Sequence, residues 1–300
     1  MDNYCAPGRY DSSNNTCFTK EELLGLVNAY NSHIKKQKLN MEPITIKDDV
    51  SYLHRELLNR FKHVCTKAKY GGSADYCITR QDFMNELVAD MYNTIADDVF
   101  RVDGPSGKTD WLVTDQIKNI LSQYEIIHKD FKSFGAVPLD CSYYPSCPLN
   151  KPNYKDEIRN GKTKFAVVFN MDKLGQPGSH WVALYADYAK CHIYYCDSNG
   201  KPPKGHINEV MNTFCIFCET NKGSKPKIHI NSKSYQTDSS ECGVYSCNFI
   251  IRLLAGETYE SVIDRPLTFK EINSCRNVYF KNKNSNRSNP SKLCDPHLKI

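Results

Sequence analysis

The chain has 300 residues, 40% of them apolar, and a formal net charge of +5. That length supports one large domain, or one domain with an appendage, and the composition is that of a globular protein rather than a disordered one. No run approaches eighteen uninterrupted apolar residues, which argues against a membrane span, and the basic residues are too scattered for a dedicated nucleic-acid binder. The two basic runs, Lys35, Lys36 and Lys38 and the tail from Lys281 to Arg287, read as solvated surface, with accessory nucleic-acid contact as the alternative.

Residues 1–20 carry Pro7, Gly8 and the polar run Asp11 to Thr16, and read as loop. The start, Met1-Asp2-Asn3-Tyr4-Cys5, lacks the basic and apolar regions of a secretory signal. The protein is therefore expected in the cytosol or a compartment reached from it. Thr19 with Glu22 three residues on has capping-box spacing, and Leu23, Leu26, Val27 and Tyr30 share one face of the helix that follows. Val50, Leu53, Leu57, Leu58 and Phe61 predict a second helix over 48–63. Thr79 as cap, with Phe83, Leu87, Met91 and Ile95 on one face, predicts a third over 79–100, set off by Gly71-Gly72-Ser73. The turn-rich Asp103-Gly104-Pro105-Ser106-Gly107 marks a boundary.

Beyond it, Trp111 enters an amphipathic helix with Ile117, Ile120, Leu121 and Tyr124, and residues 138–161, with four prolines, read as loop. Strands are predicted at 164–169, 180–186 and 191–197, the last two joined as a hairpin by Asp187–Lys190. A helix over 206–220, a short strand at 227–230 and an apolar helix from Cys242 to Leu254 complete the pattern. The last twenty residues, rich in Asn, Ser and Lys, are expected to be disordered. The organisation is α+β: a helical arm over 1–104, a core over 105–280 and a tail over 281–300.

Fourteen cysteines raise the questions of disulfides and zinc. Without a secretory signal, reduced thiols are the expectation. Cys215 and Cys218 form one CxxC with no second to complete a site. Cys141 with Cys147, Cys191 with Cys196, and Cys294 with His297 lack ligand spacing, so no metal is expected.

Three residues and a helper carry the chemistry. A thiol nucleophile needs ionisation, a proton acceptor and donors for the oxyanion. Cys242 opens a helix, whose N-terminal dipole favours a thiolate, and Gly243 leaves space for a substrate backbone. His180 begins one strand of the hairpin and Asp197 ends the other, so the two ends should meet and Asp197 should orient the imidazole. Gln236, in the loop six residues before Cys242, offers an oxyanion donor. Taken singly, each of these is more often structural, and Asp197-Ser198-Asn199-Gly200 is good turn chemistry. Their joint order and spacing carry the reading.

His180-Trp181, Asp197-Ser198 seventeen residues after the His, Gln236 and Cys242-Gly243 together resemble the ubiquitin-like-protein proteases, the clan of the SUMO and adenovirus proteases. The resemblance covers roughly residues 105–255. The layout, a helical arm before the core, is similar to that of large DNA virus members such as the African swine fever virus protease. The resemblance implies a papain-like core with a central mixed sheet flanked by helices. It implies His180 as general base and acid, Asp197 as its orienting partner, Gln236 as oxyanion donor and Cys242 as nucleophile, with no cofactor. Trp111 and Trp181, the only tryptophans, would form a narrow tunnel admitting Gly-Gly before the cleaved bond. A role in viral polyprotein processing during virion maturation, in host cytoplasm and virion, follows from the same likeness. The alternatives are removal of SUMO or ubiquitin-like modifiers, an acetyltransferase on the same fold, and a binding module recruited through the arm.

Overall fold

The computed structural model describes residues 4–65, 73–150, 152–281 and 291–296. The chain divides into two compact units, Met1–Val102 with Tyr279–Ser288, and Asp103–Val278 with Asn289–Ile300.

In the first unit, α1 (Lys20–Lys36) starts at the expected capping box: Glu22 N donates to Thr19 Oγ1 and Thr19 N to Glu22 Oε2. Leu23, Leu26, Val27 and Tyr30 are buried, as their spacing predicts. The helix α2 (Val50–Phe61) is capped by Asp49, which accepts from Tyr52 N, and buries Leu53 and Leu57, while Val50, Leu58 and Phe61 pack at the edge of the same core.

The predicted helix over 79–100 is instead three pieces: α3 (Ala74–Ile78), a 3-10 turn (Asp82–Glu86) and α4 (Ala89–Asp98). Thr79 ends α3 rather than opening a helix, and Ser73 is the N-cap. Long-range bonds impose the break. The Asp75 carboxylate accepts from Thr16 Oγ1 and Cys17 N and pairs with His54, and Cys77 is tied to Cys65. Leu87, extended at φ −69° and ψ 148°, separates the last two pieces. Gly71 and Gly72 lie outside the described residues.

The second unit opens with α5 (Thr114–Ile127), the amphipathic helix expected after Trp111, and buries Ile117, Ile120, Leu121 and Tyr124. It is built on a five-stranded sheet in the order β1 (Phe131–Pro138), β2 (Lys164–Asn170), β3 (Trp181–Asp187), β4 (His192–Cys196), β5 (Lys227–Ile230). The outer pairs β1–β2 and β4–β5 are parallel and the inner pairs antiparallel, so the sheet is mixed. Sequence patterning misses β1. Its edge position and the positive φ of Gly135, beside a register shift between Ser133 and Ala136, break the apolar alternation. Within the predicted loop 138–161, Tyr154–Arg159 forms α6.

The helix α7 (His206–Lys222) packs Ile207, Val210, Met211, Phe214 and Cys218 over Phe165, Val167, Leu184 and Ile193 on one sheet face. The helix α8 (Cys242–Leu254) runs against β3 with all its residues buried, Arg252 among them. Two hydrogen bonds from Arg252 to the Glu257 carboxylate neutralise that charge. Two further helices, α9 (Tyr259–Asp264) and α10 (Phe269–Tyr279), were not marked by sequence.

The cysteines correct two expectations. Eight are paired: Cys5–Cys17, Cys65–Cys77, Cys141–Cys147 and Cys275–Cys294. The last bond anchors part of the tail expected to be disordered. Lys292–Cys294 forms a 3-10 turn, Cys294 is buried, Tyr124 donates to Asp295 Oδ2 at 2.6 Å, and Asn248 donates to Leu293 O. A cross-link and polar bonds to buried groups hold a segment that has little apolar surface of its own to bury. Residues 282–290 and 297–300, which include most of the basic tail run, lie outside the described residues. Among the described residues no helix is long and apolar enough to cross a membrane.

Candidate active site

The β3–β4 hairpin sets the geometry. Ala183 pairs with Cys196, so the residues just before β3 lie beside those just after β4. His180, whose carbonyl accepts from Met171 N, stands before β3, and Asp197 follows β4. Their side chains meet at 2.6 Å, His180 Nε2 to Asp197 Oδ1.

Asp197 is held on all sides. Its N–H donates to Asn231 Oδ1, its carbonyl accepts from Asn231 Nδ2, and its Oδ1 accepts from Asn199 N. Its carbonyl also accepts from Gly200 N, closing the turn that Asp-Ser-Asn-Gly chemistry predicts. Gly200 has φ +69°, and a Cβ there would stand 2.8 Å from the backbone of 232–234, so this turn needs glycine twice over. The turn and the His180 contact are therefore both present at Asp197.

Asn199 and Asn231 are part of the site although no sequence signal singled out Asn231. Asn199 Nδ2 stands 3.4 Å from His180 Nε2. Asn231, just past β5, lies 34 residues from Asp197, a pairing that only the parallel β4–β5 contact creates.

Cys242, the first residue of α8, stands near enough to His180 to act on the charge of its ring. Burial works against charge on the imidazole. The hydrogen bond to Asp197 and its charge, together with the nearby Cys242, outweigh it and raise the His180 pKa to about 9. The ring is then an imidazolium at neutral pH, flanked by two groups that favour its charge. Burial pushes Cys196 up to about 12 and lifts Cys218 likewise to about 12, while Cys215 and Cys247 are also raised by burial. Those thiols are protonated, weak nucleophiles.

Gln236 lies in the loop before α8 and shares a cleft of about 770 Å³ with His180, Asp197, Asn199 and Trp111. Its amide is oriented at both ends: Oε1 accepts from Ser198 Oγ at 2.5 Å, and Nε2 donates to Asp238 O at 2.7 Å. Because a carbonyl can only accept, Asp238 O fixes which end carries the N–H groups.

The tryptophans occupy different positions. Trp111 is 43% exposed and lines the cleft. Trp181 is buried and donates from Nε1 to Leu112 O at 2.9 Å. Gly243 is buried beneath both residues of that contact. A Cβ there would lie 3.0 Å from Leu112 Cβ and 3.3 Å from Trp181 Cδ1. The room left by its missing side chain is filled by Leu112 and Trp181, not left open for substrate as sequence suggests.

A mixed sheet with a histidine–carboxylate pair at one end of a hairpin, and a cysteine opening the helix packed against it, defines the class: a thiol protease of α+β fold. Comparison with known proteins agrees. Residues 82–290 match the Ulp1 protease family, C-terminal catalytic domain. The chain is 45% identical over 303 residues to a protein of Acanthamoeba polyphaga mimivirus named as a thiol protease, covering 98% of each chain. It is 26% identical over 203 residues to a cysteine protease of African swine fever virus, isolate Tick/Malawi/Lil 20-1/1983, covering 61% of this chain and 72% of the relative. A selenomethionine crystal structure of the African swine fever virus protease superposes with a TM-score of 0.64 at 18% identity, covering 93% of this chain and 96% of the other. The chain belongs to the Ulp1 protease family and has its fold.

Proposed function

We propose that the protein is an endopeptidase that cuts after Gly-Gly, with Cys242 as nucleophile, His180 as acid and base, Asp197 as orienting carboxylate and Gln236 as oxyanion donor. The observation that carries this reading is the His180–Asp197 hydrogen bond at an open cleft, with Cys242 at the start of α8 close enough to act on the His180 ring. The Cys242 thiolate attacks the glycyl carbonyl carbon, forming the S–C bond. The resulting oxyanion accepts from the second Gln236 amide N–H and from backbone N–H at the start of α8. The His180 imidazolium gives its proton to the leaving amine as the C–N bond breaks, leaving a thioester. Water, deprotonated by His180, adds to the thioester carbonyl; the C–S bond breaks, the thiolate and imidazolium are restored, and the acid product gives its proton to solvent.

Gly-Gly selectivity rests on Trp111 at the cleft wall, with buried Trp181 anchoring the next residue, Leu112, through its carbonyl. A flat ring close to the chain penalises any Cβ before the cleaved bond. Polyprotein processing during virion maturation is the role we favour, since the mimivirus and African swine fever virus relatives are both viral proteins. On this reading the mature enzyme acts in the virion after synthesis in host cytoplasm, and the four disulfides support it, since they suit an oxidising environment better than a reducing cytosol. A second reading, removal of a ubiquitin-like modifier, is favoured by one observation: the relative from the Pig/Kenya/KEN-50/1950 isolate of African swine fever virus is named a SUMO-1 cysteine protease.

Short Gly-Gly-X peptides assayed beside intact SUMO and ubiquitin fusions test both, with Cys242→Ala as control. Cleavage of the peptides after the second Gly supports the endopeptidase. Cleavage of folded modifiers alone moves the protein to deconjugation. Full activity in Cys242→Ala would refute the assignment of the nucleophile.

A further inference from the structure

Glu241, the residue before Cys242, is fully buried. Its carboxylate is gripped from α10. Arg276 Nε donates to Oε2 at 2.9 Å and to Oε1 at 3.2 Å, and Asn273 Nδ2 donates to Oε1 at 2.9 Å. Arg276 and Asn273 are three residues apart and so lie on one helix face. Arg276 is itself only 2% exposed, and its Nη1 is buried with no partner among the described residues. Its Nη2 approaches Ser240 O at 3.5 Å, and Asn273 Nδ2 also donates to Lys108 O at 2.8 Å. The same loop is pinned from within by Asp238, whose Oδ1 accepts from Ser240 N and Glu241 N. The disulfide Cys275–Cys294, next to Arg276, fastens α10 in turn.

A buried ion pair is an expensive way to hold a loop, because desolvating both charges offsets much of their attraction. Apolar side chains of the same volume would hold it as well. What a pair adds is a directional, two-point hydrogen-bonded grip whose charges offset each other, and the residue next to it in the chain is Cys242.

We propose that Glu241 and Arg276 are positioning residues for Cys242: the pair clamps the turn that feeds α8 and balances charge beside the thiol, so that neither partner alone biases its ionisation. This rests on the reading of Cys242 as nucleophile. The other charged groups gathered here are His180 and Asp197 from the strands, Asp238 from the loop and Glu271 from the first turn of α10, the last engaged with Thr268. They are common to every variant below, so only the pair is varied.

The two charge deletions have opposite signs. Glu241→Gln keeps the shape and leaves the Arg276 cation unbalanced, which favours the thiolate. Arg276→Gln leaves a buried carboxylate unbalanced, which disfavours it. A purely structural role would damage both variants in the same direction. The test follows the rate of Cys242 alkylation by iodoacetamide against pH in the full chain, with the modified residue located by peptide mapping and melting temperature recorded alongside.

The midpoint of alkylation is expected to fall in Glu241→Gln and rise in Arg276→Gln, each by about half a pH unit or more. In the double variant it should return to the wild-type value, although the melting temperature stays lowered. Equal midpoints in all four proteins, or single variants shifting the same way, would overturn the proposal. Should a charge deletion fail to fold, Arg276→Lys keeps the charge while losing the two-oxygen grip, and a shifted midpoint there would equally overturn it. Wild-type protein alkylated elsewhere than Cys242 would instead sink the reading of the nucleophile on which the proposal stands.

Discussion

Asp197→Asn removes one negative charge and leaves the side-chain shape unchanged. In the native protein burial opposes charge on His180, and the hydrogen bond and charge of Asp197 lead the forces that overcome it and lift the ring from an ordinary 6.5 to about 9. That rise corresponds to about 3 kcal/mol of preference for the imidazolium, and solvent at the partly exposed ring reduces the usable share to about 1–2 kcal/mol. Because the folded pKa lies above the unfolded one, this stabilisation is fully present below about 6.5 and is lost as pH rises through about 9. The same titration removes the proton that the leaving amine needs.

The wild-type profile of kcat/KM against pH is therefore expected to fall on an alkaline limb near 9, as His180 loses its proton. In Asp197→Asn the limb should move down by about one to two pH units, and kcat at neutral pH should drop by about 10²–10⁴. The assay is steady-state cleavage of a Gly-Gly-X peptide from about pH 5 to about pH 10, with circular dichroism to establish that the variant is folded. An alkaline limb left at about 9 in the folded variant would refute the argument that Asp197 holds the imidazolium.

Three further outcomes are expected. Gly243→Ala places a methyl 3.0 Å from Leu112 Cβ, and this overpacking should cost about 1–3 kcal/mol in urea unfolding and lower kcat through displacement of Trp181; an unchanged unfolding midpoint would show that Leu112 can yield. Trp111→Ala should raise KM for Gly-Gly peptides severalfold with little change in melting temperature, since the ring is 43% exposed, and an unaltered KM would remove Trp111 from substrate binding. Cys275→Ser with Cys294→Ser opens a loop of 19-residue separation and should cost about 2–4 kcal/mol, measured by thermal melting against the oxidised wild type, with no loss expected if the segment at 291–296 were held by its hydrogen bonds alone.

Features governed by near neighbours were legible in the sequence. The capping box at Thr19 and Glu22, the apolar run of β2, the hairpin of β3 and β4 and the largely apolar course of α8 are set by residues a few positions apart. The hairpin is why His180 and Asp197 could be placed together: a short turn fixes the register, and the register brings the two strand ends side by side. Local rules failed where a distant residue intervenes. Apolar spacing favours one helix over 79–100, but Asp75 is claimed by Thr16, Cys17 and His54, and Cys77 by Cys65. The edge strand β1 shows too little apolar alternation to be read before its partner β2 is known.

Tertiary structure alone decided the remainder. Cysteine pairing depends on distance in space, so neither the four bridges nor the docking of 291–296 could be taken from composition. The support around the site is equally non-local: Asn231 reaches Asp197 across 34 positions, Arg276 reaches Glu241 across 35, and Leu112 closes over Gly243 from the far side of the unit's sequence. Sequence determined which chemical groups stand at the ends of which elements, because short-range hydrogen bonding and apolar periodicity are encoded over a few residues. The fold determined which groups are held, charged or buried, because burial and hydrogen-bond partners are properties of the packed chain.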